Sequence, residues 1–380
     1  MNTSESSNPT IIIAAGGTGG DLFPAIAVME ELQNIIPQLS VHFTGSPDRI
    51  ESRYLPKNGY AFTPMNSLRG FRGLSSSILT LPFILLKAVL EAKSIIQKHQ
   101  PACIICGGNY ISLPVGIYAV LSGIPLIIIE PNVKPGKTNA LLGRYAKIII
   151  IAFEETKSIY RSLFGKIPND NMKHCGNPLR SAFVKSIPDK EHGAKALSLD
   201  PNKKTLFVFG GSLGARSINQ AMIKIIDRLS EKGIQILWQT GTDFKINRTL
   251  PTDVHVMQFI DDMPSAYASA DLVVCRAGGG TVAELAVCGK SAILIPLPGA
   301  SNNEQSLNAQ TLLEHGAALV IEDGALDTEL EYAIELLLSN QDKLKEMGQN
   351  ALKHGKPNAA KEAAEFISAY IPHSKTYILD

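Results

Sequence analysis

The chain has 380 residues, of which 45% are apolar, and a formal net charge of +1. This length exceeds the size at which a single hydrophobic core normally stops growing, so two domains are expected. The longest apolar stretch, residues 78–90, is interrupted by Pro82 and Lys87 and is too short to span a bilayer, which argues against a transmembrane helix.

The N-terminus, MNTSESSNP, lacks the basic and apolar segments of a signal peptide, so a cytoplasmic protein is expected. The odd number of cysteines, five, shows no spacing typical of a disulfide framework, which fits a reducing compartment. Cys103 and Cys106 form a CxxC motif within the apolar run ACIICGG. Buried strand positions explain them better there than a redox or metal role.

Short apolar runs rich in β-branched residues alternate with longer amphipathic stretches from the N-terminus onward. In chain order we predict a strand at TIIIAAGG, a helix over Pro24–Asn34, and strands at SVHFTG, ACIICGG, PLIIIEP and KIIIIAF. This alternation is typical of parallel strands joined by helical crossovers, which is the α/β class.

The same pattern restarts in the second half of the chain. We predict a strand at KTLFVFGGS, a helix over Ala215–Leu229, and strands at IQILWQTG, HVMQFI, DLVVCRAGG, SAILIPL and AALVIED. Two Rossmann-like, doubly wound domains facing a cleft are therefore expected.

We place the first domain at residues 9–172 and the second at 173–365. A linker is expected within Gly165–Ser186, which is rich in Asn, Gly and Pro. Helical periodicity over Lys361–Tyr370 indicates a last helix. Residues 366–380 form a C-terminal helix or tail, for which a return to the first domain is one alternative.

Charge is unevenly distributed, because eleven basic residues between Ser52 and Lys147 stand against only Glu91 and Glu130. Such a field attracts an anion or an anionic membrane surface, with an ordinary solvated surface as the alternative. The stretch Leu68–Leu90 combines basic with large apolar side chains, as at a lipid interface. A buried amphipathic helix shares this pattern. No nucleic-acid partner is expected.

In both halves a glycine-rich turn follows the first strand and opens a helix, at Gly16–Gly20 and at Gly210–Gly214. Glycine allows close backbone approach, and the N–H groups at a helix N-terminus favour an anion such as phosphate. A dehydrogenase would use a similar turn. However, Leu22 occupies the third position of GxGxxG, and the second strand ends without a carboxylate for the ribose of NAD. No cofactor is expected.

The strongest set of polar residues lies in the second half. Residues 276–281 form an amide-rich loop that leads into a helix, and Glu284, one turn further, is placed to accept hydrogen bonds from the vicinal hydroxyls of a ribose. Asn303–Gln305 suit the hydroxyls of a sugar. Ile260, which follows a strand, could present its backbone to a uracil edge.

At these residues the chain resembles the GT-B glycosyltransferase superfamily and, within it, the MurG family. The resemblance runs through nearly the whole chain, over AAGGTGG, GNPLR at residues 176–180, GGSLGARSIN, FIDDM and AGGGTVAEL. It implies that Ser212 and Arg180 bind the donor diphosphate, Ile260 the uracil, Glu284 the ribose and Gln305 the sugar. The substrate-binding residues expected from pattern and resemblance together are Thr18, Gly19, Gly20, Asn132, Arg180, Ser212, Ile260, Gly280, Thr281, Glu284, Glu304 and Gln305.

The departures from the family pattern fall on the acceptor side. Asp21 follows GGTGG where the family usually has a catalytic histidine. Where the family usually has HEQN, this chain has IEPN at Ile129–Asn132, and where the family usually has GGY, it has GNY at Gly108–Tyr110. By position Asp21 is the candidate catalytic base, and capping of the helix that begins near Pro24 is the equal alternative.

The resemblance implies an inverting transfer of N-acetylglucosamine from UDP-N-acetylglucosamine to the C4 hydroxyl of undecaprenyl-diphospho-N-acetylmuramoyl-pentapeptide, in peptidoglycan synthesis. The acceptor would bind the first domain and the donor the second. A peripheral protein at the cytoplasmic face of the inner membrane is expected. The alternatives are another GT-B transferase, such as one acting on diacylglycerol, and a non-catalytic sugar-nucleotide-binding paralogue.

No metal site is expected. The histidines, among them His42, His99, His174, His255 and His315, have no ligand spacing and are interpreted as packing or surface residues. Asp261 and Asp262 resemble a metal pair, but their place between a strand and Met263-Pro264 favours helix capping.

Overall fold

The computed structural model describes residues 8–70, 81–164, 171–211, 213–300 and 303–372, without the side chains of Leu81 and Phe164. These residues form two compact units. Described residues up to Arg180, together with those from Asn358 onward, make the first unit, and those of Ser181–Pro357 make the second.

In the first unit the described strands are all parallel. They are β1 (Thr10–Ala14), β2 (Ser40–Gly45), β3 (Phe62–Pro64), β4 (Cys103–Cys106), β5 (Leu126–Glu130), β6 (Ile148–Ile151) and β7 (Met172–His174). Their order in the sheet is β3-β2-β1-β4-β5-β6-β7, with Ile12 opposite both His42 and Ile104. From β1 the chain adds β2 and β3 on one side and then β4 to β7 on the other, so the strand order reverses between β1 and β4, as in a doubly wound fold.

Helices connect these strands. They are α1 (Gly19–Ile35), α2 (Ile50–Lys57), α3 (Leu81–His99), α4 (Asn109–Leu121), α5 (Lys137–Gly143) and α6 (Thr156–Phe164), with a 3-10 turn at Asn66–Leu68. Ile11 and Ile13 of β1 pack into one hydrophobic cluster, and Ile12 and Ala14 into another on the opposite face. Burial on both faces explains why the strands are continuous apolar runs.

The second unit repeats this design. Its strands are β8 (Lys204–Phe209), β9 (Ile234–Gln239), β10 (Val254–Met257), β11 (Leu272–Cys275), β12 (Ala292–Leu294) and β13 (Ala318–Val320). The described strands lie parallel in the order β10-β9-β8-β11-β12-β13. The prediction of two doubly wound α/β domains is confirmed.

The helices of the second unit surround this sheet. They are α7 (Ser181–Lys185), α8 (Lys190–Ala196), α9 (Arg216–Glu231), α10 (Met263–Ser269), α11 (Gly279–Cys288), α12 (Glu304–Glu314), α13 (Leu326–Ser339) and α14 (Gln341–His354), with a 3-10 turn at Asp323–Ala325. A last helix, α15 (Ala359–Ser368), follows.

The contacts place the ends of the two units differently from the sequence pattern. Residues 173–180 were assigned to the second domain, but β7 pairs with β6 and so completes the first sheet. Residues 358–365 belong to the first unit as well, because Ala363 and Ala364 of α15 pack in the same core cluster as Leu22 and Ile26 of α1. Residues 165–170 of the expected linker lie outside the described residues.

Helix α1 begins five residues before Pro24, at Gly19, and not at the predicted start. The Leu22 N–H donates to the Thr18 carbonyl and closes the first turn. Pro24 cannot donate to the carbonyl of Gly20, but Gly20 is exposed, so water can satisfy that oxygen. The proline is tolerated inside the helix for this reason.

No described helix has the length and apolarity needed to cross a membrane. Cys103 and Cys106 are fully buried in β4, and burial raises the pKa of each thiol to about 12. Both thiols are therefore protonated and packed at neutral pH, as buried strand cysteines are.

Candidate functional site

In each unit the polar residues of interest follow the carboxyl ends of the central strands. The turn after β1 lies beside the position where the order of the first sheet reverses, and the turn after β8 lies at the corresponding place in the second. Ligands of doubly wound sheets bind at such positions.

The turn after β1 leads directly into α1. Thr18 is the N-cap residue in an extended conformation, and Gly19 and Gly20 are the first helical residues. Thr18 and Gly20 are exposed. Their place at the positive end of the helix suits an anionic group.

Glu51, at the start of α2, lies directly beneath this turn and is fully buried. Its Oε2 accepts the N–H of Gly17 at 2.8 Å, and its Oε1 accepts the N–H of Ser46 at 2.9 Å. A Cβ atom at Gly16 would collide with this carboxylate. The expectation that the whole turn offers its N–H groups to a phosphate is therefore wrong for Gly17, whose N–H is already bound by Glu51.

Asp21 lies in the first turn of α1. Its Oδ2 accepts hydrogen bonds from the Thr18 hydroxyl at 3.1 Å and from the Asn109 amide at 3.4 Å. Because α1 begins at Gly19 with Thr18 as its N-cap, Asp21 does not cap a helix beginning near Pro24, and that alternative is wrong. Its charge stabilises the helix N-terminus instead, and its side chain is partly exposed.

Glu130, at the end of β5, is a second buried carboxyl group in this region. It accepts hydrogen bonds from the N–H groups of Asn132 and Gly136 and from the amide of Asn139, at 3.0, 3.2 and 2.9 Å. Burial raises the pKa of Glu130 to about 8, against the effect of these donors, and the charge of Asp21 adds to the shift. Glu130 thus organises the loop that carries Asn132.

Arg180 contacts other residues of the first unit. Its guanidinium donates to the Tyr54 hydroxyl at 3.1 Å and lies over the Phe23 ring, 5.6 Å from the centroid. These contacts orient the guanidinium while leaving the side chain half-buried.

The turn after β8 in the second unit is tightly packed. Gly211 and Gly214 have φ angles of 93° and 77°, and a Cβ atom at Gly214 would collide with the carbonyl oxygen of Thr240. Glycine is required at Gly214 for both reasons. Ser212, the expected diphosphate ligand, lies outside the described residues.

Gln239, at the end of β9, joins this turn to the loop after β10. Its amide nitrogen donates to the carbonyl of Gly211 at 3.0 Å, and its amide oxygen accepts the N–H of Ile260 at 2.8 Å. Because the N–H of Ile260 is bound in this way, the backbone group that Ile260 can offer to a ligand is its carbonyl, which accepts a hydrogen bond.

Helix α11 carries three of the expected residues. Gly278 is its N-cap, Gly280 and Thr281 lie in its first turn, and Glu284 follows one turn later. Glu284 is partly buried and accepts a 2.7 Å hydrogen bond from the Tyr267 hydroxyl. The helix N-terminus and this carboxylate lie on one segment, which suits a ligand with both phosphate and hydroxyl groups.

Helix α12 brings the remaining residues close to α11. Asn308 of α12 donates to the Ala277 carbonyl at 3.2 Å. The amide oxygen of Gln305 accepts the N–H of Leu297 at 3.0 Å, so the amide nitrogen is the end of this side chain that can donate to a ligand. Burial raises the pKa of Glu304. The structure therefore groups Gly280, Thr281, Glu284, Glu304 and Gln305 in one region of the second unit.

The residues considered for metal binding have other roles. Asp262 is the N-cap of α10 and accepts the N–H of Ser265 at 3.1 Å, so the capping prediction is confirmed for Asp262. His42 stacks on His99 with ring centroids 3.9 Å apart, and His315 packs against His354. Across the part of the chain that the structure describes, His, Cys, Asp and Glu form no group of three placed to hold a metal ion.

Sequence reasoning missed Glu51, Gln239 and Tyr267. Each is polar and buried, and each makes its key contact with a residue that is distant in sequence. Only Glu51 had a local signal, because it is an acidic residue at the start of a helix, six residues after the end of β2. Nothing local distinguishes the other two.

Two family models match the chain. One described as the glycosyltransferase family 28 N-terminal domain matches residues 11–151, and one described as the family 28 C-terminal domain matches residues 205–363. The first match lies within the first unit, and the second covers most of the second unit and extends into α15.

Several relatives match over nearly the full length of the chain. A protein of Myxococcus xanthus named UDP-N-acetylglucosamine--N-acetylmuramyl-(pentapeptide) pyrophosphoryl-undecaprenol N-acetylglucosamine transferase is 40% identical, with 93% of this chain and 91% of the relative covered. A protein of the same name from Thermodesulfovibrio yellowstonii is 38% identical, with 95% and 98% covered. Among solved structures, Acinetobacter baumannii MurG matches with a TM-score of 0.73 and 28% identity, over 95% of this chain and 99% of that one.

Proposed function

The chain belongs to the MurG family of glycosyltransferases, and from this premise we propose that it transfers N-acetylglucosamine from UDP-N-acetylglucosamine to a lipid-linked N-acetylmuramoyl-pentapeptide diphosphate. The observation that supports this most directly is the match over nearly the full chain to relatives of that name. The product of such a reaction is a lipid-linked disaccharide for peptidoglycan synthesis.

We assign the donor to the second unit. The N-termini of α9 and α11, with Gly280, Thr281 and the turn that contains Ser212, supply backbone N–H groups for a diphosphate. Glu284 is assigned to the ribose, the Ile260 carbonyl to the uracil, and Glu304 and Gln305 to the sugar hydroxyls. These assignments rest on the grouping of the residues around α11 and α12.

We assign the acceptor to the first unit, where Thr18, Gly19 and Gly20 open α1 and Asn132 lies on the loop held by Glu130. Direct displacement with inversion requires a base for the attacking C4 hydroxyl. Asp21 is the proposed base, because its carboxylate is partly exposed at the helix N-terminus that would bind the acceptor. The Thr18 and Asn109 hydrogen bonds orient it.

Departure of UDP requires stabilisation of the charge that develops on its phosphate. The helix N-termini of the second unit and Ser212 are assigned to this role. The resemblance implies the same role for Arg180, whose guanidinium is oriented within the first unit by Tyr54 and Phe23.

We also propose peripheral attachment to an anionic membrane at its cytoplasmic face, through α3. Phe83, Leu86 and Leu90 on this helix are 70%, 59% and 56% exposed, and Lys87 beside them is exposed too. Exposed large apolar residues with a cation suit a lipid interface. Residues 71–80 of the stretch singled out in the sequence lie outside the described residues.

The activity is tested by incubating the protein with radiolabelled UDP-N-acetylglucosamine and either the muramyl-pentapeptide diphosphate lipid or diacylglycerol, each with and without EDTA. We expect label in the muramyl lipid alone, and equally in EDTA, because helix N-termini already supply anion sites. Label in diacylglycerol would identify a different GT-B transferase, and label in neither lipid would favour a non-catalytic binding protein.

A further inference from the structure

Tyr267 lies in the second unit and has no role in the assignments above. We propose that it is a positioning residue for the donor, whose hydroxyl holds the Glu284 carboxylate in the orientation that binds the ribose. This inference rests on the proposed function, because it deepens the role assigned to Glu284.

The ring of Tyr267 is held rigidly. It is fully buried on α10 and makes edge-to-face contacts with Phe207, Phe209 and Phe183, at centroid distances of 5.7, 6.0 and 6.2 Å. Two of these rings belong to β8 and one to α7. Because the buried ring is packed on several sides, the position of its hydroxyl within the unit is fixed.

The Tyr267 hydroxyl donates a hydrogen bond to Oε2 of Glu284 at 2.7 Å. Burial, followed by the charge of Glu284, raises the pKa of Tyr267 well above its usual value, so the phenol keeps its proton and remains a donor. A hydrogen bond to a charged acceptor at this length is a strong one.

The hydrogen bond from Tyr267 restrains the Glu284 side chain. Glu284 is partly exposed on α11, and a fixed contact reduces the number of rotamers that a glutamate side chain samples. The contact joins α10 to α11 and selects one orientation before the ligand binds. Preorganisation of this kind increases affinity because less ordering remains to be done on binding.

The variant Tyr267→Phe keeps the ring and removes the donor. Titration calorimetry with UDP should show an affinity about fivefold to tenfold weaker than that of the parent, because the orientation of Glu284 is lost while its own hydrogen bonds to the ribose can still form. Affinity for 2′-deoxy-UDP should fall less, since that ligand lacks a hydroxyl that Glu284 would bind. The ratio of the two affinities should therefore shrink. Tyr332→Phe, at a 69% exposed tyrosine of α13, is the matched control and should change neither affinity.

A double-mutant cycle with Glu284→Ala separates the possible results. If Tyr267 acts through Glu284, Tyr267→Phe should have no further effect on UDP affinity in the Glu284→Ala background. Equal weakening of UDP and 2′-deoxy-UDP, or an unchanged effect in that background, would show a merely structural role and overturn the inference. If Glu284→Ala leaves UDP affinity intact, the assigned ribose site itself fails. If Glu284→Ala weakens UDP binding but Tyr267→Phe does not, the ribose site stands and only the inference about Tyr267 fails.

Discussion

Gly17 donates its backbone N–H to Oε2 of Glu51 at 2.8 Å, a hydrogen bond between residues 34 positions apart. Through this contact a buried carboxylate from the start of α2 fixes the turn that opens α1. Thr18, Gly19, Gly20 and Asp21 follow directly, so the geometry of the proposed acceptor site depends on a residue that would not touch the acceptor.

Replacing Glu51 by Ala should destabilise the first unit. The N–H groups of Gly17 and Ser46 would lose their acceptor, and each unsatisfied buried donor costs about 1 to 3 kcal/mol. We expect a loss of about 3 kcal/mol in the urea-unfolding free energy, with UDP affinity retained because the proposed donor site lies in the other unit. Glu155→Ala, at an exposed glutamate of the first unit, should change stability by less than about 0.5 kcal/mol. An unchanged unfolding midpoint for Glu51→Ala would mean that water replaces the carboxylate.

Asp21→Asn preserves the shape of the side chain and removes its basicity. If Asp21 is the base, kcat should fall by about 100-fold or more while the Kd for UDP-N-acetylglucosamine is unchanged. Glu31→Gln, further along α1, serves as the control and should retain the parent rate. Normal turnover by Asp21→Asn would mean that Asp21 is not the base and only stabilises the helix N-terminus.

Glu284→Ala should weaken binding of UDP-N-acetylglucosamine. A charge-assisted hydrogen bond to a ribose hydroxyl contributes about 1.5 to 3 kcal/mol, which corresponds to a Kd higher by about tenfold to 150-fold. Calorimetry gives the Kd, and a thermal unfolding curve shows whether the fold is intact. Glu329→Ala, at an exposed position of α13, should leave the Kd unchanged. An unaltered Kd in a folded Glu284→Ala protein would remove this residue from the donor site.

The double variant Phe83→Ser/Leu86→Ser should bind vesicles that contain anionic lipid more weakly than the parent, by about tenfold or more. Each large apolar side chain contributes about 1.5 to 3 kcal/mol when it is buried in the membrane. Binding of the parent should fall as salt is raised, since part of the attraction is electrostatic. Leu121→Ser removes a 74% exposed leucine from α4 of the same unit and should have little effect. Ile84 and Leu85 are partly buried and are less suitable targets. Parent-like vesicle binding by the double variant would indicate that another surface meets the membrane.

Glu130 should make stability depend on pH. Its pKa is raised from 4.5 to about 8 in the folded protein, so between these values the folded state binds more protons than the unfolded state. The free energy of unfolding must then fall as pH rises through this window, and the stabilising contribution is present in full only below it. Glu130→Gln should flatten this slope in urea-unfolding measurements at pH 5.5, 7 and 8.5. If the variant and parent have the same slope, Glu130 is ionised throughout.

The donor-side candidates could be named from the sequence because their signals are local. The loop of residues 276–281, Glu284 and the cluster at 303–305 lie in two short segments, each at a helix N-terminus. A charge or amide at a fixed distance from a glycine-rich turn can be recognised without knowing the rest of the fold. The acceptor side was less accessible, because Asp21, Asn109 and Glu130 come from three separate strand ends.

Errors arose where a local signal competed with a tertiary contact. Pro24 indicated the start of α1, yet the helix begins at Gly19 because the preceding turn is held in place by Glu51. The stretch around residues 173–180 has no clear periodicity, but β7 pairs with β6 in the sheet of the first unit. Short strands are stabilised by pairing, which sequence periodicity does not report.

The sequence by itself determined the α/β class, the repetition of a doubly wound domain, and the identity of most candidate ligands, because hydrophobic periodicity and glycine-rich turns act over a few residues. Only the tertiary structure decided which N–H groups are already bound, where each unit ends, and which buried groups orient the exposed ones. Glu51, Gln239 and Tyr267 show the reason: a buried polar group must find a hydrogen-bond partner, and the fold brings that partner from a distant part of the chain.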